Sequence, residues 1–163
     1  FGKYLLVLFQ QFGIFSKAVH WKEKRGRKPA YFPKALPAAL ATLALNQLKK
    51  LDRLNLHRKE IALLYAKALR LPEREGIFLR FPVLHPNAHE IIRKFWKQNI
   101  LIGDWYTSPI APSDTLEESV GYQKGSCPVA ERLSSMTLNL PTHIRISRKN
   151  AENIISLLNH YGS

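Results

Sequence analysis

The side chains that could bind a metal ion or attack a substrate are few in this sequence and are not grouped. His85 and His89 are four residues apart, but Pro86 and Asn87 place His85 before the helix that carries His89, and no His-Glu-x-x-His or paired-cysteine spacing occurs. Cys127 is the single cysteine, and the sequence suggests no histidine that would activate its thiol, so we expect a buried packing residue. We therefore predict no metal site and no self-contained nucleophilic site.

Residues 104–109 place two aromatic rings beside hydrogen-bonding side chains. Trp105 and Tyr106 lie between Asp104 and the hydroxyls of Thr107 and Ser108, directly after a short apolar stretch at 100–102. Rings can stack on a sugar or a base while polar neighbours hydrogen-bond to it. Two interpretations remain open: an aromatic clamp for a ligand, or a loop that packs on the core.

Basic residues outnumber acidic ones by 25 to 12, which gives a formal net charge of +13. Such an excess attracts phosphate-bearing partners. Part of it lies in the basic run at 22–28, next to Trp21, and the rest is spread along helical segments. Neither Gly-x-Gly-x-x-Gly nor the P-loop pattern occurs, so a standard glycine-rich phosphate loop is not expected.

At 163 residues the chain has about the length of one domain, since a domain averages roughly 150 residues. Apolar spacing predicts a helix over 4–19, and glycine and proline predict a connector over 21–33. The remaining order is helix, strand, helix, strand, loop, helix, strand, helix. This order predicts an α+β fold with about three short strands covered by helices.

Residues 36–69 form the most strongly periodic segment. Apolar residues recur there at steps of three, four or seven, which predicts one long helix with an apolar stripe. The amino half, 36–45, is apolar on all sides, so we expect it to be buried between two bodies. The carboxy half is charged on one side and is expected to lie on a surface.

Three short strands are predicted after this helix. Ile77, Leu79, Phe81 and Val83 alternate with other residues and indicate a strand with one buried face. The apolar stretches 100–102 and 138–140 indicate two more. A long polar and aromatic loop over 103–125 separates these two, and loops of that length in compact domains are often binding loops.

Three helices accompany these strands. Asn87 and Glu90 resemble a capping box, and Ser147 is a candidate cap for the last helix. Pro128 suits the first turn of the helix between them. The residues predicted to face inward are Ala88, Ile91, Ile92 and Phe95, then Val129, Leu133 and Met136, then Ala151, Ile154, Ile155, Leu158 and Tyr161.

Three stretches occur in an order that is typical of one enzyme family. Residues 36–65 read LPAALATLALNQLKKLDRLNLHRKEIALLY, residues 106–110 read Tyr-x-x-Pro-Ile, and Cys-Pro-Val-Ala-Glu at 127–131 precedes Leu-Asn-Leu-Pro at 138–141 and then His143. These stretches resemble the long helix, the Tyr-x-x-Pro-Leu-His loop and the closing pattern of the DegT/DnrJ/StrS sugar aminotransferases, which depend on pyridoxal phosphate.

The resemblance implies the small carboxy-terminal domain of a fold-type I aminotransferase over 34–163, with 1–33 as a remnant of an upstream region. The parent would act on a nucleotide-linked keto sugar in polysaccharide or cell-surface sugar biosynthesis, as a cytoplasmic homodimer. The family's Schiff-base lysine lies in its large domain, and its sequence context does not occur here. We therefore expect that this chain alone neither holds pyridoxal phosphate covalently nor transaminates.

The family comparison also suggests substrate-binding residues and two departures. Where the family often has Tyr-Asn-Tyr-Arg-Met, residues 32–36 read Phe-Pro-Lys-Ala-Leu, so Lys34 is the one candidate phosphate contact there, with Pro33 and Ala35 beside it. Ala111 stands where a histidine is usual. Trp105 and Tyr106 join Lys34 as candidate substrate-binding residues. The two departures leave two alternatives open: these residues bind a divergent substrate, or the parent enzyme has lost some of its activity.

Two other functions compete with this interpretation. A nucleic-acid-binding module would use the basic run and Trp21, and its affinity would fall steeply with salt. Attachment to a membrane surface would use the apolar residues in 4–15 with the same run. The chain begins at Phe1 without methionine, which we interpret as a processed or truncated amino end.

Overall fold

The computed structural model describes residues 5, 8, 9, 19–30 and 33–162. Within this part of the chain, no helix is long and apolar enough to cross a membrane. The described residues form two compact units, one within Phe1–Ala35 and Ile110–Pro128 and the other within Leu36–Pro109 and Val129–Ser163. The helix predicted over 4–19 lies mostly outside the described residues. The division into 1–33 and 34–163 stays a prediction.

The single long helix predicted over 36–69 is two helices, α1 (Ala38–Leu48) and α2 (Leu51–Ala68). The backbone tightens between them: the amide of Lys50 bonds to the Gln47 carbonyl three residues back, and Lys50 has φ −98° and ψ −2°. Such three-residue bonds are typical of a 3-10 turn. The apolar period continues across this turn, which is why the sequence pattern alone did not reveal the break.

Burial differs between these helices. α1 has no buried residue, whereas α2 buries Ile61, Ala62, Tyr65 and Ala66. None of residues 49–60 is buried, so the charged stretch lies on a surface as predicted, and the four buried residues that follow it belong to the part of α2 that packs on the core. Burial of 36–45 between two bodies stays a prediction. Tyr65 also donates a hydrogen bond from its hydroxyl to the Pro141 carbonyl at 3.0 Å, and burial raises its pKa.

The sheet consists of β1 (Arg80–Leu84) and β2 (Thr137–Pro141), paired antiparallel with Phe81 opposite Leu140 and Val83 opposite Leu138. These four side chains are buried on one face of the ribbon. Ile77 and Leu79 precede the strand and are exposed, so the predicted strand began too early. The Thr142 hydroxyl lies 2.6 Å and 2.9 Å from the carbonyls of residues 78 and 79. These two carbonyls, just before β1, therefore contact a side chain.

The third predicted strand, at 100–102, is not formed. Ile102 is buried, but the chain makes only one bridge there, from Gly103 to Asn139 of β2. The amide of Ile102 bonds to the nearby Ile100 carbonyl instead of a neighbouring strand. The fold is therefore α+β with two described strands, and the apolar character of 100–102 reflects core packing.

Helix α3 (Ala88–Lys97) directs its predicted inward residues into the core. The capping box predicted at its start is wrong, because the Asn87 side chain makes no cap bond. The backbone N–H of Asn87 donates to Nδ1 of His85 at 3.0 Å. The chain leaves the helix through Asn99, which has φ +59°, a left-handed conformation that asparagine tolerates better than most residues.

Two further helices flank β2: α4 (Pro128–Met136) before it and α5 (Arg148–Gly162) after it. The cap predicted at Ser147 is confirmed, because its hydroxyl accepts from the Asn150 amide and its own amide donates to the Asn150 side chain, both at 3.1 Å. Val129 is 62% exposed, so its predicted inward position was wrong. Ser134, not Val129, is the buried residue of α4.

The core joins α2, α3, α5 and the buried face of the sheet. Its largest fully buried apolar side chains are Tyr65, Phe95, Ile91, Ile102, Leu138 and Leu140. The rings of Tyr65 and Phe81 lie 5.7 Å apart, and those of Phe95 and Tyr161 lie 5.6 Å apart with their planes at 80°. The first contact connects α2 to β1 and the second connects α3 to α5, so the helices pack as one core on the buried face of the sheet and leave its other face free of them.

The first unit contains two short 3-10 helices, Glu23–Arg25 and Glu117–Val120, that contact each other. Gly26 has φ +65°, and a Cβ there would clash with the Ser119 carbonyl, so glycine is required for this contact. Lys24 pairs with Asp114, and its carbonyl accepts from the Leu116 amide at 2.9 Å. Part of the basic run therefore makes internal contacts.

Replacing Leu138 with alanine should lower the free energy of unfolding by roughly 2–5 kcal/mol, because the fully buried side chain would leave a cavity. The matched variant Leu79→Ala should change it by less than about 0.5 kcal/mol, because Leu79 is 72% exposed. Urea unfolding of the three proteins provides the measurement. Equal losses of unfolding free energy in the two variants would contradict the burial of Leu138 and the exposure of Leu79.

Candidate functional site

The outer face of the β1–β2 ribbon forms one side of an open cleft of about 650 Å³. Alternation along the strands determines this: Phe81 and Val83 enter the core, whereas Arg80 and Pro82 point to the other face. The cleft is lined by Arg58, Ile77, Phe78, Leu79, Arg80, Pro82, Leu101, Gly103, Trp105, Tyr106, Asn139, Pro141 and His143. It thus collects residues from α2, both strands and the segment after Ile102.

Arg80 is stacked on the ring of Trp105, with its guanidinium carbon 4.3 Å from the ring centroid. This distance is within the range of a cation–π contact. Gly103 makes room for the arginine, because a Cβ at that position would lie 2.5 Å from Nη1 of Arg80. The guanidinium contacts the indole ring through its flat face. Its N–H groups lie in the guanidinium plane and point away from its centre, so they stay available as donors.

Asn139 attaches the aromatic segment to β2. Its side-chain amide donates to the Trp105 carbonyl at 2.6 Å, and its backbone exchanges two hydrogen bonds with Gly103, at 2.7 Å and 3.1 Å. Asn139 is 1% exposed, and its Oδ1 has no hydrogen-bond partner in the described part of the chain. The position of Trp105 is thus set by the strand, not by burial of its ring.

Trp105 and Tyr106 lie together at the cleft, with ring centroids 6.4 Å apart and planes at 81°. They are 55% and 63% exposed, so the rings do not form a plug on the core. Tyr106 has φ +66°, a conformation that costs a non-glycine residue energy, and Thr107 donates to the Asp104 carbonyl at 2.8 Å beside it. Their role as a ligand clamp stays a prediction.

Two further cationic or titratable side chains, Arg58 and His143, line the same cleft. Arg58 donates from Nη1 to Asn55 at 3.3 Å, but its buried Nε has no partner among the described residues. Desolvation lowers the pKa of His143, and the positive neighbours Arg145, His57, Arg58 and Arg80 lower it further. The cleft is therefore an electropositive site.

The other candidate residues lie elsewhere. Lys34 is exposed and belongs to the first unit, as do Pro33, Ala35 and Ala111, and its role as a phosphate contact stays a prediction. Cys127 is exposed, which corrects the expectation of a buried packing residue. Within the described residues, no group of three or more His, Cys, Asp or Glu side chains is arranged to hold a metal ion.

The sequence reasoning missed Arg58, Arg80, Asn139 and His143 as members of this site. Arg58 and His143 were noted only within stretches that resemble family motifs, and Arg80 only as a residue that alternates with the inward side chains of the predicted strand. One available signal was alternation in β1, which places Arg80 on the face opposite Phe81. The contact between Arg80 and Trp105 had no local signal, because 25 positions separate them.

Pyridoxal phosphate does not fit this cleft as a covalently held cofactor. Such a site needs a lysine for the Schiff base and an acidic partner for the pyridine nitrogen. The residues that line the cleft include neither a lysine nor a carboxylate. The arrangement suits recognition of an anionic ligand with a ring, and we derive no catalytic step from it.

His143 should titrate below the ordinary histidine value of 6.5. Because the pKa of His143 is lower in the folded protein, the unfolded chain binds more protons at this residue than the folded protein does once the pH falls through about 6.5. His143 therefore lowers the free energy of unfolding at acidic pH. Removing the positive charge in Arg145→Gln should raise the pKa of His143, as followed by NMR of its ring protons. A wild-type value at or above 6.5 would contradict the electropositive environment.

Arg80→Ala should shift the indole N–H signal of Trp105 in NMR spectra, because the stacked cation is lost. The indole of Trp96, which donates to the Ile102 carbonyl at 2.9 Å, serves as an internal reference and should keep its position. Arg132→Ala removes the same charge from an exposed position on α4 and should move neither signal. An unchanged Trp105 signal in Arg80→Ala would refute the stacking.

Comparison with known proteins gives two kinds of match. The sequence profile of the DegT/DnrJ/EryC1/StrS aminotransferase family matches residues 6–159. No curated protein sequence matches the chain. A DegT DnrJ EryC1 StrS aminotransferase from Brucella abortus has a similar fold, with a TM-score of 0.60 and 22% identity over 73% of this chain and 34% of that one.

DesV of S. venezuelae, solved in complex with a ketimine intermediate, is also similar, with a TM-score of 0.65 and 19% identity. The match covers 85% of this chain and 42% of DesV, so the chain spans well under half of either enzyme. At these identities the structures support the fold, and the profile match over nearly all of the sequence supports the family. The chain belongs to the DegT/DnrJ/EryC1/StrS aminotransferase family.

Proposed function

We propose that the chain is the carboxy-terminal segment of a pyridoxal-phosphate-dependent aminotransferase that acts on a nucleotide-linked keto sugar. The parent enzyme would serve polysaccharide or cell-surface sugar biosynthesis in the cytoplasm. The observation that carries this proposal is the open cleft in which Trp105 and Arg80 are stacked, without any lysine or carboxylate in its lining. Such a cleft can recognise a substrate but cannot anchor the cofactor, which we assign to a separate lysine-bearing domain.

The residues of the cleft would bind and orient the substrate. The exposed faces of Trp105 and Tyr106 can stack on a sugar or base ring and exclude water from it, and the Tyr106 hydroxyl can hydrogen-bond to a sugar oxygen. The in-plane N–H groups of Arg80 can donate to a phosphate. Lys34 is not among the residues that line the cleft, and it stays a separate candidate phosphate contact, as the family resemblance suggests.

The proposed partners are the lysine-bearing domain and a second subunit. Helix α1 supports this part of the proposal, because Leu40, Leu43, Leu45 and Leu48 are all more than half exposed. An isolated soluble protein rarely leaves so many large apolar side chains exposed on one short helix. We propose that α1 packs against the lysine-bearing domain or the second subunit of a homodimer.

The nucleic-acid alternative depends on the basic run near Trp21. There, Lys22 and Arg25 lie 5.6 Å and 5.4 Å from the centroid of the Trp21 ring, and Lys24 pairs with Asp114. The pairing of Lys24 with Asp114 reduces the positive charge that the run offers to nucleic-acid phosphates. This favours the sugar aminotransferase proposal over a stand-alone nucleic-acid-binding module.

The test is an aminotransferase assay on the protein expressed from its complete natural reading frame, with pyridoxal phosphate, a nucleotide-linked 4-keto sugar and glutamate. We expect an amino sugar by mass spectrometry and the visible absorbance of a lysine-bound cofactor. Trp105→Ala should raise KM for the sugar nucleotide by about tenfold, because base or sugar stacking contributes roughly 1–3 kcal/mol. The absorbance of the cofactor should not change.

Trp21→Ala is the matched control, because Trp21 is 54% exposed and Trp105 is 55% exposed, in different units. It should leave KM unchanged. A protein that stays colourless with added cofactor and forms no amino sugar would contradict the proposed function. Salt-sensitive binding of an oligonucleotide that is lost in Trp21→Ala would instead support the nucleic-acid-binding alternative.

A further inference from the structure

The cleft holds positive side chains that no carboxylate neutralises. Arg58, Arg80 and His143 line it, and none of its lining residues is acidic. The ion pairs among the described residues, Lys24 with Asp114, Lys94 with Glu90 and Arg148 with Glu152, involve none of these three side chains. Like charges that share a partly dehydrated site repel each other, so an anion bound between them would be stabilised.

Two buried nitrogen atoms on α2, one of them in a residue that lines the cleft, have no hydrogen-bond partner in the described part of the chain. They are Nε of Arg58 and Nε2 of the adjacent His57. Buried polar atoms are nearly always bonded, so an unpaired one requires an explanation such as a missing water, ion or ligand. The unpaired Arg58 nitrogen belongs to a side chain that lines the cleft.

Arg80 is already placed to bind an anion. Stacking on Trp105 holds the plane of its guanidinium, and the absence of a side chain at Gly103 leaves space for it. An arginine that is held by its face loses less conformational freedom when its edge forms two parallel hydrogen bonds to a phosphate. Arg145 and His57 add to the positive field that His143 experiences.

We infer that Arg58, Arg80 and His143 form a phosphate-binding subsite in this cleft, which takes the diphosphate of the ligand while Trp105 and Tyr106 contact its ring. This inference deepens the proposed function, because it assigns the diphosphate of the sugar nucleotide to named residues. Arg80 is the bidentate donor, Arg58 contributes its unpaired nitrogen, and His143 donates from Nε2, because its Nδ1 accepts a hydrogen bond from the Arg145 backbone N–H at 3.3 Å. A bound anion favours the charged form of the nearby imidazole and therefore raises the pKa of His143.

The test uses the 163-residue chain and inorganic pyrophosphate, followed by NMR at about 0.1 M salt, where the Debye length is about 10 Å and distant charges are screened. We expect saturable shifts of the Trp105 indole and His143 ring signals, with a rise in the pKa of His143 in the complex. This assay requires no cofactor, amino donor or sugar. It can therefore succeed even if the aminotransferase proposal fails, and the reverse also holds.

Arg80→Ala should weaken binding by about tenfold or more, since a hydrogen bond to a charged group contributes more than a neutral one. Arg58→Lys keeps the charge but removes the planar nitrogen group, and should weaken binding while the protein stays folded. Arg132→Ala is the charge-matched control on α4 and should have no effect. Equal weakening by Arg132→Ala, or shifts that never saturate, would overturn the inference in favour of diffuse attraction to a basic protein.

Discussion

The antiparallel register of β1 and β2 is the constraint on which the rest of the second unit depends. It places Phe81 opposite Leu140 on the core face, and it places Arg80 beside Pro141 on the cleft face. Because side chains alternate along a strand, a shift of one residue in this register would exchange the two faces. The Tyr65 hydroxyl bond to Pro141 also depends on where β2 lies.

This sheet positions the candidate binding residues of the cleft. The apolar face is held by α2, α3 and α5, and the opposite face carries the bridge between Asn139 and Gly103 that holds the aromatic segment. Trp105 can therefore stay more than half exposed and still have a defined position. The lining of the cleft includes neither a lysine nor a carboxylate, which are the groups that hold pyridoxal phosphate covalently and pair with its ring nitrogen.

The sequence predicted those features that have a local period or a local motif. The inward positions of Ala88, Ile91, Ile92 and Phe95 follow from helical spacing, and the cap at Ser147 follows from residue type and position. The break at Lys50 was missed because the apolar period continues across it, and residues 100–102 were taken for a strand because a buried apolar stretch has no distinctive period. Two adjacent rings with polar neighbours indicated Trp105 and Tyr106 as candidates, but the stacking of Trp105 with Arg80 depends on tertiary structure and could not be derived from either segment alone.

The most direct measurement is a set of long-range nuclear Overhauser effects across the ribbon and the cleft. The account predicts contacts from Phe81 to Leu140 and from Val83 to Leu138, together with contacts from the Arg80 side chain to the Trp105 indole ring. Contacts that instead pair Arg80 with Leu140 would show a register shifted by one residue. That result would place the arginine on the core face and contradict the cleft, the proposed anion subsite and the proposed substrate site together.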